Sequence, residues 1–78
     1  MARSRWRGLE ARERTRLLYR LLDEVHRTTF ILFELEGLPG EQIAAITATP
    51  ISTVWVRLSR ARRKFIQHMR AFEAREKS

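Results

Sequence analysis

Apolar residues recur along this chain at helical spacing, in four stretches separated by turn residues. Between about Leu9 and Val25, the residues Leu18, Leu21, Leu22 and Val25 fall at i, i+3, i+4 and i+7, the stripe of a helix with one buried face. From about Thr28 to Glu36, Phe30, Ile31, Leu32, Phe33 and Leu35 leave almost no polar side, which predicts a central helix surrounded by the others. Gly37 suits the position just past a helix end, and Pro39 is a stop signal beyond it. A short third helix is predicted over Glu41–Thr47, with Ile43, Ala44 and Ile46 facing inward. Thr47-Ala48-Thr49-Pro50 then interrupts the pattern, because proline locks its own φ and pushes the preceding residue out of the helical region. Pro50 can nevertheless open a new helix, where its missing N–H is not needed. Periodicity resumes at Ile51 and runs to about Glu73.

A short helix, a tight turn and a longer helix rich in arginine is the layout of a helix-turn-helix that reads DNA. At 100° per residue, Ile51, Val54, Leu58, Ala61, Phe65, Met69 and Phe72 share one sector of the fourth helix and are expected to pack on the other three. Ser52, Val56, Ser59, Arg60, Arg63 and Gln67 fall on the far side. Trp55, Arg62 and Ile66 flank the packed sector on one edge, with Arg57, Lys64 and His68 on the other. The N-terminal half of such a helix enters the major groove, so Ser52, Trp55, Val56, Ser59 and Arg60 are candidates for base edges. Arg60 has the fork for guanine O6 and N7, and Val56 can touch a thymine methyl. Arg57, Arg63 and Lys64 are candidates for phosphate, setting register.

Charge sharpens this reading. The chain of 78 residues carries +7, and 14 of its 16 basic residues are arginine. Arginine suits phosphate and guanine better than lysine does, although a GC-rich genome produces the same bias without a physical cause. Residues 1–22 hold seven arginines against two glutamates, residues 23–49 one arginine against five acids, and residues 50–78 eight bases against two glutamates. Such polarity steers one face toward nucleic acid. The expectation is a flexible basic arm over 1–8, then one all-α, four-helix domain over 9–78 without a wing. With no cysteine there is no disulfide or thiolate metal site, and His26 and His68 lie far apart. No apolar run approaches a membrane span and no signal peptide is evident, so a cytoplasmic protein is expected.

Residues 32–65 also carry a resemblance. The run LFELEGLPGEQIAAITATPISTVWVRLSRARRKF resembles region 4 of bacterial sigma factors, particularly the extracytoplasmic-function group, where the pattern is approximately ELEGLSYEEIAEILGxPxGTVKSRLxRAR. The matching positions are Glu34, Leu35, Glu36, Gly37, Leu38, Glu41, Ile43, Ala44, Ile46, Pro50, Thr53, Val54, Arg57, Leu58, Arg60, Ala61 and Arg62. The resemblance spans about residues 17–70. It implies recognition of the promoter −35 element by the fourth helix and docking on the β flap of the RNA polymerase core, with an anti-sigma factor as a further candidate partner. The family's contacts to DNA carry over to Trp55, Val56, Arg57, Ser59 and Arg60.

The departures matter as much. Trp55 and Val56 stand where the family has Lys or Arg and then Ser, so apolar contact replaces polar readout, or Trp55 extends the core. Ala48 replaces a turn glycine, so the turn either avoids a positive φ or bears strain. Pro39-Gly40 replaces Ser-Tyr, leaving amides that could meet a phosphate. The joint Val25–Thr28 is shorter than the family's connector; either Thr28 caps the second helix or the two helices join more directly. Region 2, which opens DNA in complete sigma factors, has no counterpart in these residues, so an excised domain, a truncated product or a free-standing region 4 protein is expected. Two other readings remain: a stand-alone dimeric helix-turn-helix regulator, and an adapter for polymerase or anti-sigma factor that does not read DNA. An enzyme is not expected, and neither is a cofactor, a metal or a small-molecule substrate. There is no glycine-rich phosphate loop, no HExxH and no nucleophile with a matched base.

Overall fold

Helix α1 spans Ala11–Leu21, buries Leu17 and Leu18, and ends where Leu22 turns to extended backbone. It stops four residues short of the expected Val25, and the cause is Asp23. In extended conformation, Asp23 accepts the His26 amide at 2.9 Å and starts a second helix, α2, over Glu24–Phe30. Val25 therefore belongs to α2 and is exposed, while Thr28 is an interior residue of that helix and caps nothing. Leu22 stays buried at the joint, and the Arg27 guanidinium lies 4.0 Å from the Tyr19 ring centre, tying α2 back to α1. The computed structural model describes residues 8–77, the side chains of Glu76 and Lys77 excepted, so the expected basic arm lies, up to Arg7, outside the described residues.

Past Phe30 the helix continues into a π turn over Ile31–Leu35, with the Glu36 amide reaching back to the Ile31 carbonyl at 3.0 Å. A turn one residue wider displaces the 3.6-residue wheel. Leu35, expected inside, is consequently exposed, whereas the Glu34 side chain is only 2% exposed beside Arg62. The surrounded helix of the sequence reading is thus only partly enclosed: Thr29 and Phe30 are buried, while Ile31, Leu32 and Phe33 are half-buried. Gly37 then takes φ +71°, the left-handed conformation that glycine adopts without penalty.

Helix α3, Gly40–Thr47, begins after an extended Pro39 and places Ile43 in the core. Ile46, also expected inward, is 56% exposed, because α3 meets its neighbours along one narrow line through Ile43 and Ala44. The helix closes with the Thr49 amide on the Ala44 carbonyl at 3.0 Å and the Ala48 amide on the Ala45 carbonyl at 3.3 Å. That is a Schellman pair, and it puts Ala48 in the left-handed region at φ 51°. The Pro50 carbonyl next accepts the amides of Thr53 and Val54, and α4 runs from Ile51 to Lys77. Its 27 residues make a rod about 40 Å long that dominates the 45 Å molecule.

Two apolar clusters share that rod. Ile43, Val54 and Leu58 form one beneath α3, with Leu32, Phe33, Leu38 and Ala44 around them. Leu17, Leu18, Leu22, Phe30, Ala61 and Phe65 form the other between α1, α2 and the middle of α4, where the Phe30 and Phe65 rings lie 5.1 Å apart. The inward sector of α4 holds Val54, Leu58, Ala61 and Phe65, as its periodicity predicts, with Met69 at its border. It overreaches at both ends. Ile51 precedes the packed stretch, and Phe72, 51% exposed, lies where α4 has outrun the buried cluster. Among the described residues every regular element is helical, so the domain is all-α.

Candidate nucleic-acid interface

The corner at 47–50 determines which side of α4 can meet a ligand. Thr47 donates its hydroxyl to the Ile43 carbonyl at 2.7 Å and sits 2.8 Å from the Thr49 hydroxyl, so the turn is held by side chains as well as by the Schellman amides. With Val54 and Leu58 buried below, the opposite side of the same helix points outward.

On that side Trp55, Val56, Ser59, Arg60 and Arg63 line one shallow groove of about 390 Å³. Ser52 is exposed one turn earlier. Arg60 and Arg63, three residues apart, place two guanidinium groups on the same side of the rod. Such a surface can receive an anion or the edge of a base, having donors, charge and a short apolar strip at Val56.

The other two candidates stand elsewhere. Arg57 is half-buried and lines a separate recess with Glu24, Val25, Thr28, Thr47 and Thr49. Lys64 lines a third, with Arg20, Leu21, Gln67 and His68. Of the eight sequence candidates, six are thus brought together or adjacent on the outward side, while Arg57, beside α2, and Lys64, beside α1, occupy recesses of their own. Arg62 is drawn the opposite way: it lies 3.4 Å from Glu34 and 5.3 Å from the centre of the Phe33 ring.

Trp55 divides its surface. Its ring meets Phe33 edge-on at 5.9 Å and covers the α-carbon of Gly40, yet 44% of the residue remains exposed at the groove. It is therefore an edge of the core and a wall of the groove at once. Sequence reasoning missed the contact of Gly40 with Trp55 and the place of Arg20, because neither pairing has a local spacing signature; the cap at Asp23 it could have found, since an aspartate three residues before His26 is a local helix-start signal. The Asp23 carboxyl is held below the ordinary aspartate range, chiefly by the hydrogen bonds from the His26 amide and ring, with a smaller contribution from the Lys64 charge. Among the described residues no group of three His, Asp or Glu side chains is placed to hold a metal ion, and no helix is long and apolar enough to cross a membrane.

The profile of a known family, described as "Sigma-70, region 4", matches residues 12–65, from the first turn of α1 to Phe65 in α4. The chain belongs to the sigma-70 region 4 family. That span contains both apolar clusters' principal residues, the 47–50 corner and the whole outward groove of α4. Membership brings a DNA-binding, sigma-factor-like function at the level of the family, with interaction with DNA and RNA polymerase in general. No curated protein and no solved structure gives a significant match to the chain.

Proposed function

We propose that this region 4 domain recognises the −35 element of promoters through the N-terminal half of α4 and docks on the β flap of RNA polymerase, in the manner of the extracytoplasmic-function group. One observation supports it above all: Val56, Ser59, Arg60 and Arg63 line a single exposed groove on α4, immediately beyond a corner fastened by side chains and amides. In this reading Ser52, Trp55, Val56, Ser59 and Arg60 face base edges, while Arg57, Arg63 and Lys64 hold phosphates and set register. An anti-sigma factor is a further partner that would cover the same helix. A surface this small implies weak DNA affinity without polymerase.

Selection from a random duplex pool tests the reading. A monomer enriching one short, non-palindromic motif is the expected result, with affinity rising when polymerase is present. The exposed Phe72 favours a second reading, a stand-alone regulator dimerising through the end of α4. Palindromic enrichment by a species of twice the mass would select it. Polymerase binding without any enriched motif would leave an adapter that does not read DNA.

A further inference from the structure

The recess between α1 and α4 has a composition that the base-reading groove does not explain. Arg20 in the last turn of α1 and Lys64, Gln67 and His68 on α4 surround an open space of about 440 Å³ floored by Leu21. Arg20, Lys64 and Gln67 are exposed and His68 is half-buried. The acidic neighbour, Asp23 at the α1–α2 joint, is already engaged by His26 at 2.7 Å. Two fixed cations, an amide and an imidazole facing one cleft make an anion site, and the class of anion follows from position.

Lys64 follows Arg60 by one turn, about 6 Å along the rod, and is turned sideways from it toward α1. A helix lying in a major groove has its outer face at the bases and its edges against the two sugar–phosphate walls. The α1 edge of α4 is thus an edge that meets a wall, and the recess flanks the proposed DNA surface on that side.

We propose that Arg20 and Lys64, with Gln67 and His68, hold phosphates of the DNA strand flanking the recognised bases, so that α1 contributes to the DNA interface. This rests on the DNA-binding reading above. Phosphate contacts of this kind add affinity without sequence preference and release counterions, about 0.9 units of salt slope for each.

The test is a salt titration of the full chain on a duplex, with Arg20→Gln, Lys64→Gln and the double variant. All three change exposed side chains, and circular dichroism melting verifies their fold. The double variant is expected to lose about two units of slope and each single variant about one, with equal loss on specific and scrambled sequence. Shortening the duplex from one of its ends should lower the wild-type slope to that of the double variant. An unchanged slope in a double variant that is folded and binds DNA overturns the site. So does an unchanged slope accompanied by saturable binding of inorganic phosphate at His68, followed by NMR, which would assign the recess to a free anion. Weakened polymerase binding with an unchanged slope would assign it to protein. Wild-type chain that binds no duplex at all overturns both this site and the DNA-binding reading beneath it.

Discussion

Trp55 lies so close over Gly40 that a Cβ at position 40 would stand 2.5 Å from the indole Cζ2. No real contact between carbon atoms is that short, so glycine at the head of α3 is a condition for the indole to lie where it does. The indole in turn closes the edge of Phe33 and leaves its other side at the groove. One small residue therefore determines both how α3 seats on α4 and what the groove presents.

Gly40→Ala must push the ring away. We expect a loss of about 1–3 kcal/mol, the usual cost of overpacking. Trp55→Leu should absorb most of the added methyl, so that the two changes together cost less than their sum. Urea melts of the double-mutant cycle measure the coupling; strictly additive losses would show that the two residues do not meet.

Ala48 holds a left-handed conformation at φ 51° in the Schellman turn that ends α3. An L-residue with a Cβ is strained there by about 1–2 kcal/mol, and glycine is not, though glycine also loosens the unfolded chain. Ala48→Gly should stabilise the domain by about 0.5–1 kcal/mol net. Thermal denaturation gives the sign, and a lower melting temperature would contradict the strain.

The Asp23 carboxyl is exposed, and its hydrogen bonds to His26 hold its proton affinity below the ordinary range. A depressed carboxylate stabilises the fold above its unfolded value and ceases to do so as pH falls through its folded value. Asp23→Asn keeps a good capping side chain but removes the charge. The stability gap between wild type and Asp23→Asn should therefore be present at about pH 5 and shrink as the solution is acidified below about pH 4. A gap independent of pH from 2 to 6 would remove the carboxylate's role.

Arg60 and Arg63 occupy one groove but are assigned different partners. Arg60→Ala should weaken binding to the selected motif by about 1–3 kcal/mol and relax the preference at one base. Arg63→Ala should weaken specific and scrambled duplexes alike, with about one unit less salt slope. Leu58→Ala, in the core beneath them, should destabilise the fold by about 2–5 kcal/mol. An equal loss of base preference in both arginine variants would exchange or merge their roles.

Legibility in the sequence tracked the range of the forces involved. Helix-turn-helix geometry at 47–50, the left-handed Gly37 and the buried side of α4 at Val54, Leu58, Ala61 and Phe65 all follow from spacing and from the backbone limits of proline and glycine. Each acts within a few residues. The outward side of α4 was readable for the same reason, since burying one sector leaves the opposite one to solvent.

What periodicity misplaced depended on neighbours. Ile46 and Phe72 carry the right spacing for burial, but burial needs a facing element, and none of sufficient reach covers them among the described residues. Val25 and Leu35 depart from the predicted faces because a cap at Asp23 and a π turn reset the helical count; the cap has a local signal in the aspartate itself, whereas the π turn depends on hydrogen bonds that spacing does not reveal.

By itself, then, the order of residues determined that four helices form among the described residues, where the corner lies and which stripe of α4 is apolar, because those are consequences of local dihedral limits and 3.6-residue spacing. Tertiary structure alone decided that Trp55 shares itself between Gly40 and the groove, and that Arg20 comes to stand beside Lys64. Such pairings join residues 15 or more positions apart, and only the packing of separate helices against one core fixes the distance between them.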